Sequence, residues 1–190
     1  MEHLGTVRIE TEGLDLRRFE KSDSEAMFRN LYSDAEAMRF LPWETHKSIS
    51  ETEAHILGYI AGYENLDYYA WAIVPKSSEG PIGFIDTAVD NAINAIKVDY
   101  GIGKSWWNKG YTSKALSTFI CFAFEKVKAN RIYATHDPRN PNSGKVMMKC
   151  GMTYEGTLRQ ARYRKGEYSD RAMYAILASD YLSNSPLGNL

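Results

Sequence analysis

Cysteine is scarce in this 190-residue chain, which holds only Cys121 and Cys150. Two cysteines build no disulfide framework, and with four scattered histidines they form no recognisable zinc ligand set. An excess of charge is also missing. The 23 Lys plus Arg against 24 Asp plus Glu leave a formal net charge of -1, which argues against a dedicated nucleic-acid binder with its strongly basic face. Local basic patches stay open. No apolar run approaches the roughly 20 residues that span a bilayer. The longest, Phe119 to Phe124, has the length of a core-helix segment. Met1-Glu2-His3-Leu4-Gly5 lacks the basic and apolar regions of a signal peptide. No repeat or low-complexity stretch is visible. The expectation is a cytoplasmic, reduced, soluble protein without a membrane partner.

What is present reads as globular. Hydrophobic residues make up 44% and charged residues 25%, the balance of a chain with a packed core. The length suits a single domain, expected over residues 1–182, with 183–190 a polar, Pro- and Gly-containing flexible tail.

Apolar alternation over Thr6 to Phe19, broken at Gly13, predicts a strand pair or a bent strand. Ser22-Asp23-Ser24-Glu25 and Ser50-Glu51-Thr52-Glu53 read as capping boxes that open two helices. Strand-like runs follow at Tyr68 to Val74, Ile82 to Val89 and Ile93 to Ile102, close enough to predict an antiparallel meander. A helix is expected from about Gly110 to Val127, with Ala115, Leu116, Phe119, Ile120, Ala123 and Val127 on its apolar face. Then come a strand at Arg131 to Thr135, a helix at Pro141 to Cys150 ended by Gly151, and strands at Met152 to Leu158 and Tyr168 to Leu177. The fold class is α/β (α+β), with a mixed, mostly antiparallel central sheet flanked by helices.

The stretch from Ile96 to Ala115 carries the chemistry. A strand runs into a loop, and Gly110 opens the long helix. The first N–H groups of a helix have no intrahelical partner and its dipole is positive there, so this terminus suits a phosphate. Lys109 and Lys114 add positive charge, while an ordinary helix start with solvated lysines is the alternative. The loop is neither a Walker A motif nor a dinucleotide fingerprint, since Gly101-Ile102-Gly103 lacks the third glycine.

Trp107-Asn108-Lys109-Gly110-Tyr111-Thr112-Ser113-Lys114-Ala115 resembles the phosphate loop of the GNAT N-acetyltransferases, in the form found in their ribosomal-protein-alanine/serine N-acetyltransferase branch. Asp137 to Ser143 followed by Lys149-Cys150-Gly151-Met152, the run Tyr154 to Gln160, and Leu41-Pro42-Trp43 resemble further blocks of that branch, in the same order along nearly the whole chain. The resemblance implies a GNAT fold and acetyl-CoA as the acyl donor, with no metal. It implies cofactor contacts from Trp107, Asn108, Lys109, Gly110, Tyr111, Thr112 and Ser113 at the pyrophosphate. It places Tyr100, Gly101 and Ile102 along the pantetheine, Asn140 on the pantetheine arm, and Ser143 near the sulfur as donor to the leaving thiolate. The acceptor is then a primary amine, with Trp43 lining its groove. The assembly is a monomer or a homodimer, and no direct nucleic-acid binding is expected.

The sequence departs from the family pattern in places. Thr112 ends the loop where Gly or Ala is usual, Lys114 replaces a common Glu, and Lys97 and Asp99 stand where Glu and Gly are more frequent. The general base is therefore open among Glu44, Asp99, Glu155, His136 and ordered water, with Glu155 taken beside Ser143 as the catalytic pair. Each has a plainer reading: Glu155 as a turn residue paired with Arg159, His136 as structural, Ser143 as a first-turn helix serine. The basic run Arg159, Arg162, Arg164 and Lys165 reads as a solvated hairpin or as a docking site for an acidic partner. A protein N-terminal α-amine, with an ordinary pKa of about 7.7–8.0, needs less of a base than a lysine amine. The other readings are a non-catalytic acyl-CoA-binding module on the same fold and, more distantly, a nucleotide-binding interaction protein.

Overall fold

A computed structural model describes residues 1–184. Eight strands form one sheet in the order β1-β2-β3-β4-β5-β6-β8-β7. These are β1 (Ile9–Glu10), β2 (Leu14–Arg17), β3 (Ala70–Pro75), β4 (Gly83–Asp90), β5 (Ala95–Ile102), β6 (Arg131–His136), β7 (Thr153–Arg164) and β8 (Glu167–Leu177). Every neighbouring pair is antiparallel except β5–β6. That parallel pair is joined through α3 (Tyr111–Glu125). A parallel pair needs such a crossover because its strands start at the same end of the sheet. The remaining helices are α1 (Ser24–Met27, continued by a π-helical stretch Phe28–Tyr32), α2 (Ile49–Gly62), α4 (Pro141–Lys149) and α5 (Ala178–Asn184). The expected mixed, mostly antiparallel sheet and its meander are present.

Each face of the sheet buries its own core. Ile85, Ile96, Val98, Ile132, Ala134 and Ile176 pack with Leu116, Phe119, Ile120 and Ala123 of α3 on one face. Phe84, Ala70 and Ala72 pack with Met27, Leu31, Tyr32, Ile56 and Tyr59 on the other. The period-two alternation of strands distributes neighbouring residues to opposite faces.

Several boundaries move for local reasons. The first helical segment opens with a 3₁₀ turn, Lys21–Asp23, that runs into α1 and is boxed by Glu20 and Asp23, not by Ser22 and Glu25. Asp23 is held by both guanidinium nitrogens of Arg17 at 2.7 Å while it accepts from the Glu20 N–H at 2.9 Å. The second cap is Ser48, whose hydroxyl accepts from the Glu51 N–H at 3.3 Å, two residues before the expected box. β5 starts at Ala95 and not Ile93, because Asn94 takes a left-handed φ of 51° that ends the turn. β7 runs six residues beyond the expected Leu158 and turns into β8 through Lys165 and Gly166, both at positive φ, as a two-residue hairpin requires. Ser183, assigned to the tail, lies in α5 and donates to the Ser179 carbonyl at 2.8 Å. The rest of the expected tail, 185–190, lies outside the described residues.

Trp71 is fully buried between Tyr69, Phe119 and Phe122, and its indole donates to the Val7 carbonyl at 2.6 Å. It joins β3 to α3 and to the N-terminal segment. Trp71→Ala is expected to destabilise the protein by about 3–5 kcal/mol, measured as a lower urea midpoint with two-state unfolding retained.

Candidate active site

The pairing of β5 with β6 ends at Lys97 and Tyr133. Beyond that point β5 continues to Ile102 and β6 to His136, so the two strands part. No strand covers the β6-facing edge of residues 98–102 among the described residues. Backbone groups on such an edge need partners. One is met locally, where the Trp107 indole donates to the Ile102 carbonyl at 3.0 Å.

The N-terminus of α3 stands at the end of this edge. Gly110 takes φ 82° and ψ -6°, a left-handed conformation that strains other residues. Its open side faces no other atom within 4 Å. The first helical bond is the Lys114 N–H to the Gly110 carbonyl at 3.0 Å. The amides of Tyr111, Thr112 and Ser113 find no acceptor among the described residues, and no side chain caps them. Asn108 is also left-handed, at φ 59°, and Lys109 sits 5.1 Å from the centre of the Trp106 ring. The loop therefore offers several free donors at a positive helix end.

On the far side of the opening, β6 ends in the loop to α4. Asn140 precedes Pro141 at the helix start, and Ser143 occupies the first turn. The Tyr100 hydroxyl lies 3.0 Å from Ser143 Oγ and donates to the Ser143 carbonyl at 3.1 Å. Burial pushes the Tyr100 phenol up, so it keeps its proton. Tyr100 has one proton for these two oxygens: given to Oγ it leaves the Ser143 proton free to point into the cleft, and given to the carbonyl it takes the Ser143 proton in return. Gly144 lets α4 lie close against His136 at the end of β6, because a Cβ there would meet His136 Nε2 at 2.7 Å.

One cleft gathers Trp43, Asp99, Tyr100, His136, Asn140 and Ser143. Trp43 reaches it from the loop between α1 and α2 and packs edge-on against Tyr32, His55 and Phe84. The His55 imidazole is pushed down to about 4 by burial, so it packs as a neutral ring.

The candidates for the base separate clearly. Glu155 does not join the cleft: it forms a two-pronged pair with Arg131, Arg131 Nη1 donating to Oε1 at 2.8 Å. That partner holds its carboxyl below the ordinary range, which opposes proton uptake. The reason is a β-bulge between Tyr154 and Gly156, which aims Glu155 along the sheet toward β6. The expected Glu155–Arg159 pair does not form either. Glu44 is exposed at the rim, 3.5 Å from Lys165. His136 is buried, with Nδ1 2.8 Å from the Asp137 carbonyl oxygen and Nε2 enclosed without a partner. Asp99 faces the cleft but is paired with Lys97 at 2.5 Å.

The sequence reading overlooked Asp86. It lies opposite Asp99 in the β4–β5 register and lines the same cleft. Burial pushes its carboxyl up to about 6; the Thr87 N–H, donating at 2.8 Å, pulls the other way, and Asp99 adds to the rise. A carboxyl tuned toward neutrality in a cleft suits proton transfer. Its signal was a charge inside the strand run Phe84-Ile85-Asp86, on the same pleat as Phe84. Arg171 was overlooked too: it is buried on β8 and also lines the cleft.

The profile of the acetyltransferase (GNAT) domain matches residues 14–153. The chain is 28% identical over 170 residues to the N-acetyltransferase YoaA of Bacillus subtilis, covering 89% of this chain and 96% of YoaA. It is 27% identical over 185 residues to the ribosomal protein uS5-alanine N-acetyltransferase of Escherichia coli, covering 92% and 93%. The crystal structure of a GNAT-family acetyltransferase from Bacillus anthracis superposes with a TM-score of 0.80 at 26% identity, over 91% of this chain and 99% of that one. The chain belongs to the GNAT acetyltransferase family and is an N-acetyltransferase.

The placement of Glu155 outside the cleft carries a direct test. Glu155→Gln is expected to keep turnover within about twofold of the parent, measured as thiol release from acetyl-CoA with an accepted amine. A loss of about a hundredfold, the scale of a missing proton-transfer group, would restore Glu155 to the reaction.

Proposed function

We propose that the protein transfers the acetyl group of acetyl-CoA directly to a primary α-amine, with Ser143 as proton donor and Asp86 as proton acceptor. The observation that carries this reading is the parting of β5 from β6 between two prepared ends. Free amides stand at the start of α3 on one side, and the Tyr100–Ser143 pair at 3.0 Å stands on the other.

The residues fit the donor along its length. The amides of Tyr111, Thr112 and Ser113, with Lys109 and Gly110 beside them, suit the pyrophosphate. The open edge of Tyr100, Gly101 and Ile102 suits the amides of the pantetheine arm, with Asn140 facing it. Trp107 acts indirectly, through its bond to the Ile102 carbonyl.

The reaction forms one N–C bond and breaks one C–S bond. The amine nitrogen needs a free lone pair, so an ammonium must first lose a proton. Asp86, ionised above about pH 6, takes it directly or through water. The departing thiolate takes the hydroxyl proton of Ser143, Tyr100 steadies Oγ at 3.0 Å, and the second proton, shed by the attacking nitrogen as the amide forms, restores the Ser143 hydroxyl directly or through water. A protein N-terminus, with a pKa of about 7.7–8.0, is already part neutral at physiological pH and matches a base of this strength. A small molecule carrying such an amine matches it equally.

The first measurement is thiol release from acetyl-CoA against short peptides, amino acids, polyamines and amino sugars. Release with an α-amine class supports the reading. Acetyl-CoA binding without release from any amine would reduce the protein to a binding module. Ser143→Ala is expected to lower kcat by about a hundredfold with little change in the Kd for acetyl-CoA. Asp86→Asn is expected to abolish the rise of kcat/KM with pH that the parent shows as Asp86 ionises near pH 6. An unchanged profile would remove Asp86 from the role of base.

A further inference from the structure

Two walls of opposite charge meet in this cleft. Val98, Ala134 and Ile176 point into the α3 core, so Asp99 and Thr135, one residue away, and Arg171, five residues away on β8, take the opposite pleat. Asp86 shares that face through its register with Asp99. The acidic wall belongs to β4 and β5, and the basic wall to β7 and β8. The gap between the parted β5 and β6 lies between them.

The basic wall lacks its counter-charge. Arg171 is buried, and its hydrogen bonds go only to neutral oxygen: Nη2 donates to the Thr135 carbonyl at 2.8 Å, and Nη2 and Nε donate to Thr135 Oγ1 at 3.2 and 3.3 Å. Arg162 lines the cleft beside it and forms no salt bridge among the described residues. Arg164 donates to the Arg39 carbonyl through Nη2, while its Nη1 is buried without a partner. Burial works against the charge of Arg171, and Arg162 adds to that; Asp99 and Asp137 offset part of it without touching the guanidinium. Asp137 is occupied by Arg139, which reaches both carboxylate oxygens at 2.7 and 3.0 Å. Buried cations without a carboxylate partner are costly, and they suit a site whose ligand brings the anion. A guanidinium fork matches a carboxylate in two-point geometry.

We propose that the acceptor of this N-acetyltransferase carries a carboxylate close to its amine, the carboxylate seated on Arg171 and Arg162 and the amine on Asp86. The proposal rests on the amine-transfer reading and narrows its substrate class. Two sources supply this chemistry: the α-carboxylate of a free amino acid, or an acidic second residue of a peptide. The roof of the cleft, Phe40 to Trp43, is tied to the β7–β8 hairpin by the Arg164–Arg39 contact and by Lys165 near Glu44 at 3.5 Å. The arginines also help the chemistry. A carboxylate beside an amine favours its charged form, and neutralising that carboxylate lowers the cost of losing the proton.

The test compares the common amino acids with their C-terminal amides, and Ala-Asp and Ala-Glu peptides with Ala-Ala-amide, each with acetyl-CoA. Thiol release and the thermal shift in the presence of CoA are both read. The expected result is a kcat/KM at least about tenfold higher for the carboxylate-bearing member of a pair, the favoured pair identifying the source. Arg162→Gln, at a half-exposed position, and Arg171→Gln should bring that ratio toward one. Arg162→Gln keeps the test decisive where the buried Arg171 variant fails to fold. Equal rates for acids and amides would overturn the carboxylate site while leaving amine transfer standing. A ratio that survives both substitutions would overturn it as well. Carboxylate-dependent stabilisation, lost in Arg162→Gln, without thiol release would keep the site and overturn the transfer. Absence of both release and stabilisation would overturn both.

Discussion

Everything in the site depends on one break in the sheet. β5 and β6 share only three paired positions, from Ala95 with Arg131 to Lys97 with Tyr133, and then separate. A sheet normally satisfies its backbone by continuing, and an interrupted pair leaves donors and acceptors in want of partners. Here the interruption opens at the start of α3, with its unpaired first amides, and at the start of α4, with Asn140 and Ser143. The extended edge and the helix termini form one continuous polar track through an otherwise apolar molecule. The two cores on either face hold that track open, because neither strand can close without dragging its buried residues off α3 or off the α1–α2 layer.

The same break gives the two sides of the sheet different tasks. On the α3 side stand Tyr100 and Ser143, hydroxyl against hydroxyl at 3.0 Å. On the other side stand Asp86, Asp99 and Arg171 under Trp43. Donor chemistry and acceptor chemistry therefore come from opposite pleats of the same strands, and a reacting pair meets in the gap between them. A change of register by one residue in β5 would exchange Tyr100 for Asp99 across the sheet. The long β4–β5 pairing, eight positions in register, protects against such a slip.

Much of this was legible in the sequence, and the remainder was hidden for definite reasons. The meander, α3, β6 and α4 follow from period and turn chemistry and occur close to their expected limits. Gly110 stood out as the residue that opens the long helix, while Asn140 and Ser143 were singled out through the resemblance to the GNAT family, and Ser143 and Asn140 line one cleft with Trp43 and Tyr100. Glu155 was misplaced because a bulge reaims it, and bulges leave little trace in local composition. Asp86 and Arg171 were overlooked because their meaning is not local. Asp86 is an ordinary strand charge until its register sets it against Asp99 beneath a loop some forty positions earlier in the chain. Arg171 is an ordinary strand cation until burial deprives it of water. The basic run that looked like a solvated hairpin divides in the same way: Arg159 is exposed, while Arg162 turns into the cleft.

That division bears on how such a site is selected. A surface arginine contributes little to stability and interacts weakly through screened solvent. A buried arginine answered only by Thr135 is held at a cost that the fold alone does not repay. Local rules of polar placement are strained in three places within this cleft: Asp86 without a cation, Arg171 without an anion, and Ser143 with its hydroxyl answered only by another hydroxyl. Elsewhere the molecule keeps to those rules, pairing Arg17 with Asp23, Arg131 with Glu155 and Arg139 with Asp137. Concentrated departures from local consistency are what a functional site is expected to show. Each of the three is answered by one part of the transfer reaction: an amine to lose a proton, a carboxylate to fix the amine, and a thiolate to receive one.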